Sequence, residues 1–567
     1  MPFVKKIDTV ANEFEGITNY FYCTYNATSS DHVPTRQKKK IAVIGCGPYA
    51  IGTSVEFDWC AVNTVEQAKK CGYETVLINS NPETVSTDYD TSDYLYFEEL
   101  SFERIQDIYD MEQCPFIVSV GGQIPNNLSS KMGDIGIPIL GTQPKYIYQA
   151  ESRKDFSKLL DSALIAQPKW GEAKTVPQAL RMSRNIGYPV LVRPSFVLSG
   201  KGMIVFNAEE ELVPYLESIE HILGSQKLVI SKFMEDAVEC DVDAVAKHGE
   251  IIRYALSEHV EPAGVHSGDS TLVYPSFSIN DEIKKKIYSD SKSILSKLKV
   301  HGPCNIQFLI QDDTAYVIEC NLRASRSVPF VSKVLHDNYI TVATDVFLGV
   351  PVSFQEHKIS YVGVKVPQFS FLKLKGADPV LRVEMRSTGE VASFGYSLQE
   401  AYLCAILSTG IKYPEKKSVF VSIGGFDAKI RSLKQCKALT DLGFTIYATF
   451  GTSLFLKVHG ISSEKVEKIF EGGNQTFSSL VENKLLDFAI VIPEKANAVG
   501  KRRYVQGISD GYTMRRMAVD AKIPIFTSLS TSSMFIDALR ITPDALPILA
   551  WDEYSKVNMV SRKERII

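Results

Sequence analysis

The chain is 567 residues long, several times the usual domain length of ~100–150 residues, so we expect three or four folded units. Hydrophobic residues make up 45% and charged residues 23% of the sequence, which is ordinary globular composition and excludes a disordered chain or a fibrous repeat. The formal net charge of -4 creates no bulk field that would attract nucleic acid or an anionic membrane. Phosphate binding must therefore depend on local arrangements of residues.

The cysteine pattern and the start of the chain indicate the compartment. The ten cysteines are scattered singly, without a CxxC pair or metal-finger spacing, and are expected to be reduced, buried thiols. The opening MPFVKKIDTVANEFEG lacks the apolar stretch of a secretory signal, and no run of ~18 apolar residues occurs. We expect a cytoplasmic protein with neither a membrane nor a nucleic acid as partner.

The first part of the chain predicts a parallel sheet. Residues 1 to 37 end in the polar stretch NATSSDHVPTRQKKK and are predicted to be a tail and linker. After them, short apolar runs alternate with amphipathic stretches, at 41–45, 75–80, 116–122 and 137–141. This alternation is typical of βαβ units, so residues 38–150 are predicted to form a Rossmann-like domain.

The middle of the chain has a different pattern. A helix is predicted near Glu151, and PVLVRPS at 189–195 is predicted to be a buried strand, followed by the small-residue segment SGKG at 199–202. Later runs show period-two alternation separated by turns: KLVISKF, ECDVDAVA, IIRYALSEHV, NIQFLI and AYVIECN. This favours an antiparallel sheet and an α+β unit over residues 151–355, completed by residues 356–415.

The last part of the chain returns to βα alternation. VFVSIGG, TIYATFGT, FAIVIP and IPIFTSL are strand-like, with helical stretches between them. Residues 416–567 are therefore predicted to form a second small parallel α/β domain, which makes the chain as a whole a multidomain α/β protein.

The segment NIQFLIQDDTAYVIECN carries the first candidate chemistry. In a hairpin that turns at QDDT, Glu319 and Asn321 point to the same face across Cys320, and Gln307 can join them. Carboxylate and amide oxygens suit a hard cation such as Mg²⁺, which would bridge the phosphates of ATP. The alternative is an amphipathic hairpin whose polar face is simply solvated.

The residues after this hairpin favour a phosphate site. NLRASRS places Arg323 and Arg326 directly beyond the proposed metal ligands. Guanidinium groups can bind the oxygens of a transferring phosphoryl group or of an anionic acceptor. Ion pairing with nearby acids is the alternative, but it explains less of the cluster.

Several long motifs in register resemble one family, the large chain of carbamoyl phosphate synthetase. The motifs VRPS, SGKGM, EDAVECDVDAVA, EHVEPAGVHSGDST, NIQF and IECNLRASRSVPFVSK resemble its ATP-grasp domain, and GCGPYAIGTSVEFDWC and NSNPETVSTDYDTSD resemble the pre-ATP-grasp domain before it. The family has two synthetase halves, which phosphorylate bicarbonate and carbamate respectively, and this chain resembles the second. The resemblance implies that KKIDTVANEF ends the helical oligomerisation domain and that residues 416–567 form the regulatory domain, which resembles methylglyoxal synthase.

The resemblance also implies roles for individual residues. Arg153 and Arg193 would contact ATP phosphates, under a flexible loop of Ser199, Gly200, Lys201 and Gly202. The adenosine would lie among Lys232, Met234, Glu239 and the wall formed by Gly264, Val265, His266 and Ser267. Glu319 would bridge two Mg²⁺ (or Mn²⁺) ions, completed by Gln307 and Asn321, while Arg193, Arg323 and Arg326 stabilise the transferring group. His266 would only position substrate, because a carbamate oxygen is already anionic and needs no general base.

The last domain is expected to bind a regulatory nucleotide. A phosphorylated effector could be held by Thr449, Gly451 and Thr452 in the turn after TIYAT and by the cations Lys501, Arg502, Arg503, Arg515 and Arg516. NAVGKRRYVQG and YTMRRMAVD resemble the eukaryotic, glutamine-dependent pyrimidine-pathway type, which UTP inhibits. A solvated basic face is the alternative for any single one of these residues.

The expected reaction is the transfer of a phosphoryl group from MgATP to carbamate, giving carbamoyl phosphate for pyrimidine synthesis and possibly arginine synthesis. The chain contains one ATP-grasp unit and no glutaminase, so the glutaminase and the bicarbonate-phosphorylating half would be partners. A fragment, a split subunit and a half that acts as a homodimer all remain open. The rival functions are another ATP-grasp carboxylate-amine ligase and a nonenzymatic regulatory piece that binds nucleotides.

Overall fold

A computed structural model describes residues 2–11, 13–14, 18–34, 39–51, 54–194, 203–219, 227–467, 475–494, 504–505 and 508–556. The chain divides into two compact units. The first comprises Met1–Pro168, Ala237–Glu258 and Tyr274–Ile359, and the second comprises Lys169–Asp236, His259–Val273 and the chain from Ser360 onwards.

Residues 2–168 form a mainly parallel sheet with helices between its strands, in the strand order β1-β2-β5-β4-β3-β6-β7. The strands are β1 (Phe3–Lys6), β2 (Tyr20–Thr24), β3 (Lys40–Ile44), β4 (Glu74–Asn79), β5 (Tyr94–Phe97), β6 (Phe116–Ile117) and β7 (Ile139–Leu140). The helices are α1 (Val55–Lys70), α2 (Phe102–Glu112), α3 (Gln123–Asp134), α4 (Pro144–Glu151) and α5 (Arg153–Ser162).

The Rossmann-like prediction is confirmed: β3, β4, β5, β6 and β7 run parallel, and β3 is buried along its whole length. The structure differs at the start of the chain. The stretch predicted as tail and linker contains β1 and β2, which pair antiparallel, and β2 extends the sheet parallel to β5. The reason is packing, because Val4, Phe21 and Cys23 are buried in the core of this sheet.

Residues 169–236 form a small antiparallel sheet in the order β10-β9-β11-β8, covered by two helices. The elements are β8 (Trp170–Ala173), α6 (Val176–Ile186), β9 (Val190–Pro194), β10 (Ile204–Phe206), α7 (Glu209–Ser218) and β11 (Leu228–Lys232). The predicted strand at 189–195 corresponds to β9.

Residues 237–359 contain the long strands that were predicted from period-two alternation. The elements are β12 (Val238–Lys247), β13 (Glu250–His259), β14 (Leu272–Tyr274), α8 (Asp281–Lys297), β15 (Gly302–Gln311), β16 (Thr314–Asn321), α9 (Val328–Leu335) and α10 (Tyr339–Phe347). Strand β12 pairs antiparallel with both β13 and β15, and β15 pairs antiparallel with β16. The expected antiparallel sheet is therefore present.

Residues from 360 onwards contain a hairpin and then a five-stranded parallel sheet in the order β21-β20-β19-β22-β25. The strands are β17 (Val362–Gln368), β18 (Gly389–Gly395), β19 (Ser418–Ile423), β20 (Thr445–Thr449), β21 (Glu464–Val466), β22 (Phe488–Ile492), β23 (Tyr504–Val505), β24 (Ile508–Ser509) and β25 (Ile525–Phe526). The helices are α11 (Leu398–Ser408), α12 (Phe426–Asp441), α13 (Phe450–Val458), α14 (Phe477–Glu482), α15 (Asp510–Asp520), α16 (Leu529–Ala538) and α17 (Glu553–Lys556). The second parallel α/β domain is confirmed.

Short 3₁₀ turns lie at Val85–Thr87, Ser267–Asp269 and Pro543–Ala545. All ten cysteines fall among the described residues and are free, and only Cys71 and Cys404 are not buried. Among the helices that the structure describes, none is long and apolar enough to cross a membrane.

Candidate active site

The hairpin of β15 and β16 has the predicted form. Its turn residues Asp312 and Asp313 both have positive φ, at 50° and 55°, as a two-residue hairpin turn requires. The register shifts between Gln307 and Phe308, and with this shift Gln307 lies directly opposite Glu319 while Asn305 lies opposite Asn321. Residues opposite each other in a sheet share a face, so Gln307, Glu319 and Asn321 lie together.

The polar side chains of this face fit a hard cation. Gln307, Glu319 and Asn321 are all half-buried, and Asn321 Nδ2 donates a hydrogen bond of 2.9 Å to Glu319 Oε1. This bond turns the amide oxygen of Asn321 away from the carboxylate and leaves it available to a cation. The oxygen atoms of this one-carboxylate, two-amide set suit a hard cation that takes its remaining ligands from other oxygen atoms.

The opposite face of the same strands is core. Cys240, Val242, Ile306, Phe308 and Cys320 are each at most 2% exposed and belong to one apolar cluster. The alternation of the sequence therefore places the candidate ligands on one face of the strands and the core residues on the other, as the pleat of a strand requires.

Arg323 lies beside the predicted metal ligands. Its Nε donates to Gln123 Oε1 at 2.9 Å, its guanidinium lies 5.7 Å from the Phe57 ring centroid, and it is half-buried. Burial lowers the pKa of Arg323, while the carboxylates of Glu319 and Glu151 oppose that shift. A cation in an anionic, partly dry setting is well suited to bind a transferring phosphoryl group.

Arg326 is ion-paired with the first helix. Its guanidinium lies 2.7 Å from Glu56 Oε1, and both side chains are at most 10% exposed. Burial acts to raise the pKa of Glu56, but the Arg326 charge and hydrogen bonds outweigh it and leave that pKa lowered.

Arg153 belongs to the same unit and precedes the hairpin in the chain. Its Nη1 donates to the Ile318 carbonyl at 2.6 Å, one residue before Glu319.

Strand β12 carries two acidic residues, Asp241 and Asp243, that were not predicted from the sequence. Glu239, which was predicted to contact ribose, is 6% exposed, and Asp241 and Asp243 follow it at spacings of two on the same face. Asp241 lies opposite Gln307, and Asp243 lies opposite Asn305. Burial, and then the Asp241 charge, raises the pKa of Asp243 to about 6. The alternation in ECDVDAVA was the signal that could have found them.

The remaining predicted nucleotide residues belong to the second unit. Arg193 lies on β9 opposite Val229, and Lys232 Nζ donates to the carbonyls of Gly187 and Tyr188 at 3.1 and 2.8 Å. Met234 is 6% exposed, so it is mainly a core residue at this point of the chain.

The loop Gly264–Ser267 is held in a defined conformation. Gly264 has φ +106°, and a Cβ on it would lie 2.7 Å from the Phe233 ring, so both backbone and space require glycine here. Val265 is half-buried. The His266 backbone N–H donates to the Arg382 carbonyl at 2.8 Å, and its Nδ1 accepts from the Gly268 N–H at 3.1 Å. Ser267 begins the following 3₁₀ turn.

The candidate effector turn lies at the start of α13. Thr449 is the residue before the helix, and Gly451 and Thr452 are in its first turn. Thr452 Oγ1 accepts from the Ile423 N–H at 3.1 Å and lies 3.3 Å from Thr449 Oγ1, while Lys429 Nζ donates to the Gly451 carbonyl. A cation and a helix N-terminus therefore lie together here.

Two of the predicted effector cations contact residues 371–378. Arg515 is 5% exposed and binds Asp378 through Nε and Nη2 at 2.7 and 2.5 Å. Arg516 Nη1 donates to the carbonyls of Phe371, Leu374 and Ala377 at 3.1 to 3.3 Å. Their predicted role in effector binding stays a prediction.

Some predicted residues lie outside the described residues. These are Ser199, Gly200, Lys201 and Gly202 of the loop over the phosphates, and Lys501, Arg502 and Arg503 of the last domain.

Family models match most of the chain. Residues 37–149 match the carbamoyl phosphate synthase preATP-grasp domain, residues 152–353 match the ATP binding domain of the carbamoyl-phosphate synthase L chain, and residues 431–527 match the MGS-like domain.

Known relatives align along nearly the whole chain. The multifunctional protein pyrABCN of Emericella nidulans is 45% identical over 551 residues, which cover 95% of this chain and 24% of that protein. The multifunctional protein CAD of Squalus acanthias is 44% identical, with coverage of 97% and 25%. The mitochondrial carbamoyl-phosphate synthase [ammonia] of Rattus norvegicus is 42% identical, with coverage of 98% and 37%. The chain thus spans between 24% and 37% of the length of these relatives.

Solved structures share the fold of about two thirds of the chain. The purK N5-carboxyaminoimidazole ribonucleotide synthetase in complex with ADP superposes with a TM-score of 0.51 at 12% identity, covering 67% of this chain and 97% of that one. The biotin carboxylase domain of Hydrogenobacter thermophilus 2-oxoglutarate carboxylase, in complex with MgADP, ADP and bicarbonate, superposes with a TM-score of 0.53 at 16% identity, covering 66% and 90%. The preATP-grasp, ATP-binding and MGS-like matches and the relatives that align along nearly the whole chain together show that this chain belongs to the carbamoyl phosphate synthase large-chain family.

Proposed function

We propose that this chain transfers the terminal phosphoryl group of ATP to carbamate and so forms carbamoyl phosphate. The observation that carries the proposal is the register of β15 and β16, which sets Gln307 against Glu319 with Asn321 bonded to the same carboxylate. An oxygen-rich face next to Arg323 and Arg326 matches the needs of a reaction that depends on positioning and charge neutralisation.

The residues of the hairpin would hold two Mg²⁺ or Mn²⁺ ions, with Glu319 shared between them and Gln307 and Asn321 each completing one. When bound, the metal would neutralise charge on the phosphate oxygens. Arg323 and Arg326 act on the charge of the transferring group, and the buried environment of both guanidinium groups strengthens that interaction. The acceptor oxygen of carbamate is anionic, so no side chain has to remove a proton from it.

The nucleotide is assigned to the residues that the motifs imply. Arg153, Arg193 and Ser199, Gly200, Lys201 and Gly202 would bind phosphate oxygens, and Lys232, Met234, Glu239 and residues 264–267 would contact the adenosine. The carbonyl bonds of Lys232 support this role, because they fix the ammonium at the end of β11.

The chemistry that comes before carbamate is assigned to partners. A glutaminase and a bicarbonate-phosphorylating half would supply carbamate, on other chains or on other parts of a longer chain, or a homodimer of this half would perform both phosphorylations. The names of the multifunctional relatives and their greater length support this arrangement. The product would enter pyrimidine synthesis.

The last domain is assigned the binding of a UTP-like nucleotide. A continuous set of contacts within the second unit supports a regulatory role: Arg515 binds the Asp378 carboxylate, Arg386 Nη1 donates to the Asp378 carbonyl at 3.0 Å, and the Arg386 N–H donates to Asp269 at 2.8 Å. Asp269 ends the 3₁₀ turn that Ser267 begins, so α15 is linked to the loop assigned to adenosine.

The reverse reaction tests the proposal without the missing partners. The purified chain is incubated with MgADP and carbamoyl phosphate, and ATP formation is measured for the native chain, for Glu319→Gln and for Asp313→Asn. Asp313 is an exposed turn residue of the same hairpin and serves as the matched control. We expect ATP from the native chain and from Asp313→Asn, and a loss of at least about 100-fold in Glu319→Gln, the scale of removing one group that stabilises a transition state.

The outcome separates the candidate functions. A folded native chain that binds MgADP and forms no ATP would favour the regulatory function. ATP formation that survives in Glu319→Gln would remove the hairpin from the chemistry.

A further inference from the structure

A fully buried carboxylate lies behind the candidate active site. Asp243, on β12, has no exposed surface, and no role follows for it from the motifs of the hairpin. It shares a strand face with Glu239 and Asp241, the face that continues across β15 to Gln307 and across β16 to Glu319. Burying a carboxylate is costly unless several donors satisfy it, so its partners indicate what it stabilises.

The partners of Asp243 come from two neighbouring elements. Oδ1 accepts from Asn305 Nδ2 at 3.0 Å and from Ser325 Oγ at 2.6 Å, and Oδ2 accepts from Ser327 Oγ at 2.5 Å. The two serine hydroxyls also lie 2.8 Å apart. Both carboxylate oxygens are therefore used, and every one of these donors is neutral.

The serines that bind Asp243 flank Arg326. Ser325 and Ser327 are its neighbours on either side in the loop after β16, and both are buried, with 9% and 5% exposure. Glu56 binds the guanidinium end of Arg326, whereas Asp243 binds the side-chain hydroxyls of the residues on both sides of it. The position of the arginine is thus set by two separate carboxylates.

The third partner connects Asp243 to the metal ligands. Asn305 lies opposite Asn321 in the register, one step along the sheet from the opposed pair of Gln307 and Glu319. One side chain therefore ties the loop that carries Arg326 to the strand that carries the ligands. A shift of about 1 Å between such groups is enough to cost about 100-fold in rate.

We propose that Asp243 is a positioning residue for phosphoryl transfer, which sets Arg326 against the Gln307, Glu319 and Asn321 row through Ser325, Ser327 and Asn305. The inference rests on the proposed function. Asp243 does not touch the substrate; its carboxylate is needed because only an acceptor with both oxygens free of hydrogen can take all three donors in this geometry.

The test compares the reverse reaction in the native chain, Asp243→Asn and the double variant S325A/S327A. Asparagine keeps the shape but replaces one acceptor oxygen by a donor. We expect kcat to fall about 10- to 100-fold in both variants, the range seen when a supporting partner of a metal site is lost. The KM for MgADP should change by less than about 3-fold, because the nucleotide contacts remain, and the losses should not multiply when all three changes are combined.

Asp290→Asn is the matched control. Asp290 is also a buried carboxylate of the first unit, 4% exposed, but it lies on α8 and is bound by Lys286 at 2.7 Å. It should retain native kcat. If Asp243→Asn does not fold, single Ser325→Ala and Ser327→Ala variants decide, and each should lower kcat.

The possible results are distinct. Two results overturn the inference but not the proposed function, provided that the native chain forms ATP. In the first, Asp243→Asn has the kcat of the control variant. In the second, the kcat loss in Asp243→Asn multiplies with the kcat loss of the serine variant. Folded serine variants with native kcat also overturn it. A native chain that forms no ATP overturns the proposed function, and the inference with it.

Discussion

The Arg515–Asp378 pair gives a prediction whose size can be worked from the structure. The guanidinium side chain is 6% exposed and the carboxylate 24%, and two short parallel bonds join them. Arg515→Met keeps the volume of the side chain and removes both bonds. The carboxylate would remain without the guanidinium in a partly dry setting.

The magnitude follows from that exposure. Removing one partner of a fully buried pair costs about 3–5 kcal/mol, and losing a charged hydrogen bond costs about 1.5–3 kcal/mol. Because Asp378 is one quarter exposed, water can partly replace the guanidinium. We expect Arg515→Met to destabilise the contact between α15 and the segment of Asp378 by about 2–3 kcal/mol.

Native-state hydrogen exchange is the suitable assay, because a chain with two compact units has no single free energy of unfolding. Amide protection in α15 and around Gly376, whose carbonyl accepts from Tyr512 Oη at 2.7 Å, should fall together by about 30- to 150-fold. Lys437→Met is the control, since it removes an exposed ion pair with Asp441 and should change protection by less than about 3-fold.

A double-mutant cycle can refute this reasoning. If Arg515→Met and Asp378→Asn are additive within about 0.5 kcal/mol, the two residues do not interact energetically. Loss of protection in α15 without loss near Gly376 would also refute it, because the bonds are argued to stabilise both segments at once.

Three further predictions concern the metal, pH and a loop. Removal of divalent cations should abolish ATP formation in the reverse reaction, and Mn²⁺ should restore it, as a kinetic titration after chelation would measure; activity that survives chelation would exclude the metal. Pairing with Arg326 lowers the pKa of Glu56 below its usual 4.5. The contribution of this pair to stability is therefore complete above pH 4.5 and is lost as the pH falls through the lowered pKa. In denaturation experiments, the stabilities of Glu56→Gln and of the native protein should differ at pH 7 and converge below pH 4.5. Gly264→Ala should raise the KM for MgADP and reduce the amide protection of its loop, because the new Cβ adds backbone strain of about 1–3 kcal/mol and meets the Phe233 ring. Gly410→Ala is the control for strain alone, since Gly410 has φ +90° but no atom lies within 4 Å of the new Cβ.

The sequence predicted the hairpin well because two independent constraints agree there. The alternation around Cys320 fixes which side chains share a face, and the two Asp residues of QDDT accept the positive φ of a tight turn. The turn fixes the register as far as Phe308, which lies opposite Val317, but the opposition of Gln307 and Glu319 also needs the register shift between Gln307 and Phe308, which no local pattern predicted.

Other features depended on contacts that no local pattern contains. The strands β1 and β2 were missed because they are only four and five residues long, and pairing of β2 with β5 supplies the stabilisation. Asp243 looked like one more charged position in an alternating run, and its three donors come from residues 62 to 84 positions away. Arg515 looked like an exposed cation until Asp378 was placed beside it.

The first domain acquires a role from these long-range contacts. Gln123, on α3, accepts from Arg323, and Glu56, on α1, binds Arg326. Both helices follow strands of the parallel sheet, and that sheet is rigid because β3 is buried along its length. Helices of the parallel sheet thereby contact both guanidinium groups to which the proposed function gives a role in phosphoryl transfer. If that function holds, substitution of Glu56 on α1 or Gln123 on α3 should lower the rate of phosphoryl transfer without altering a single residue of the ATP-grasp domain.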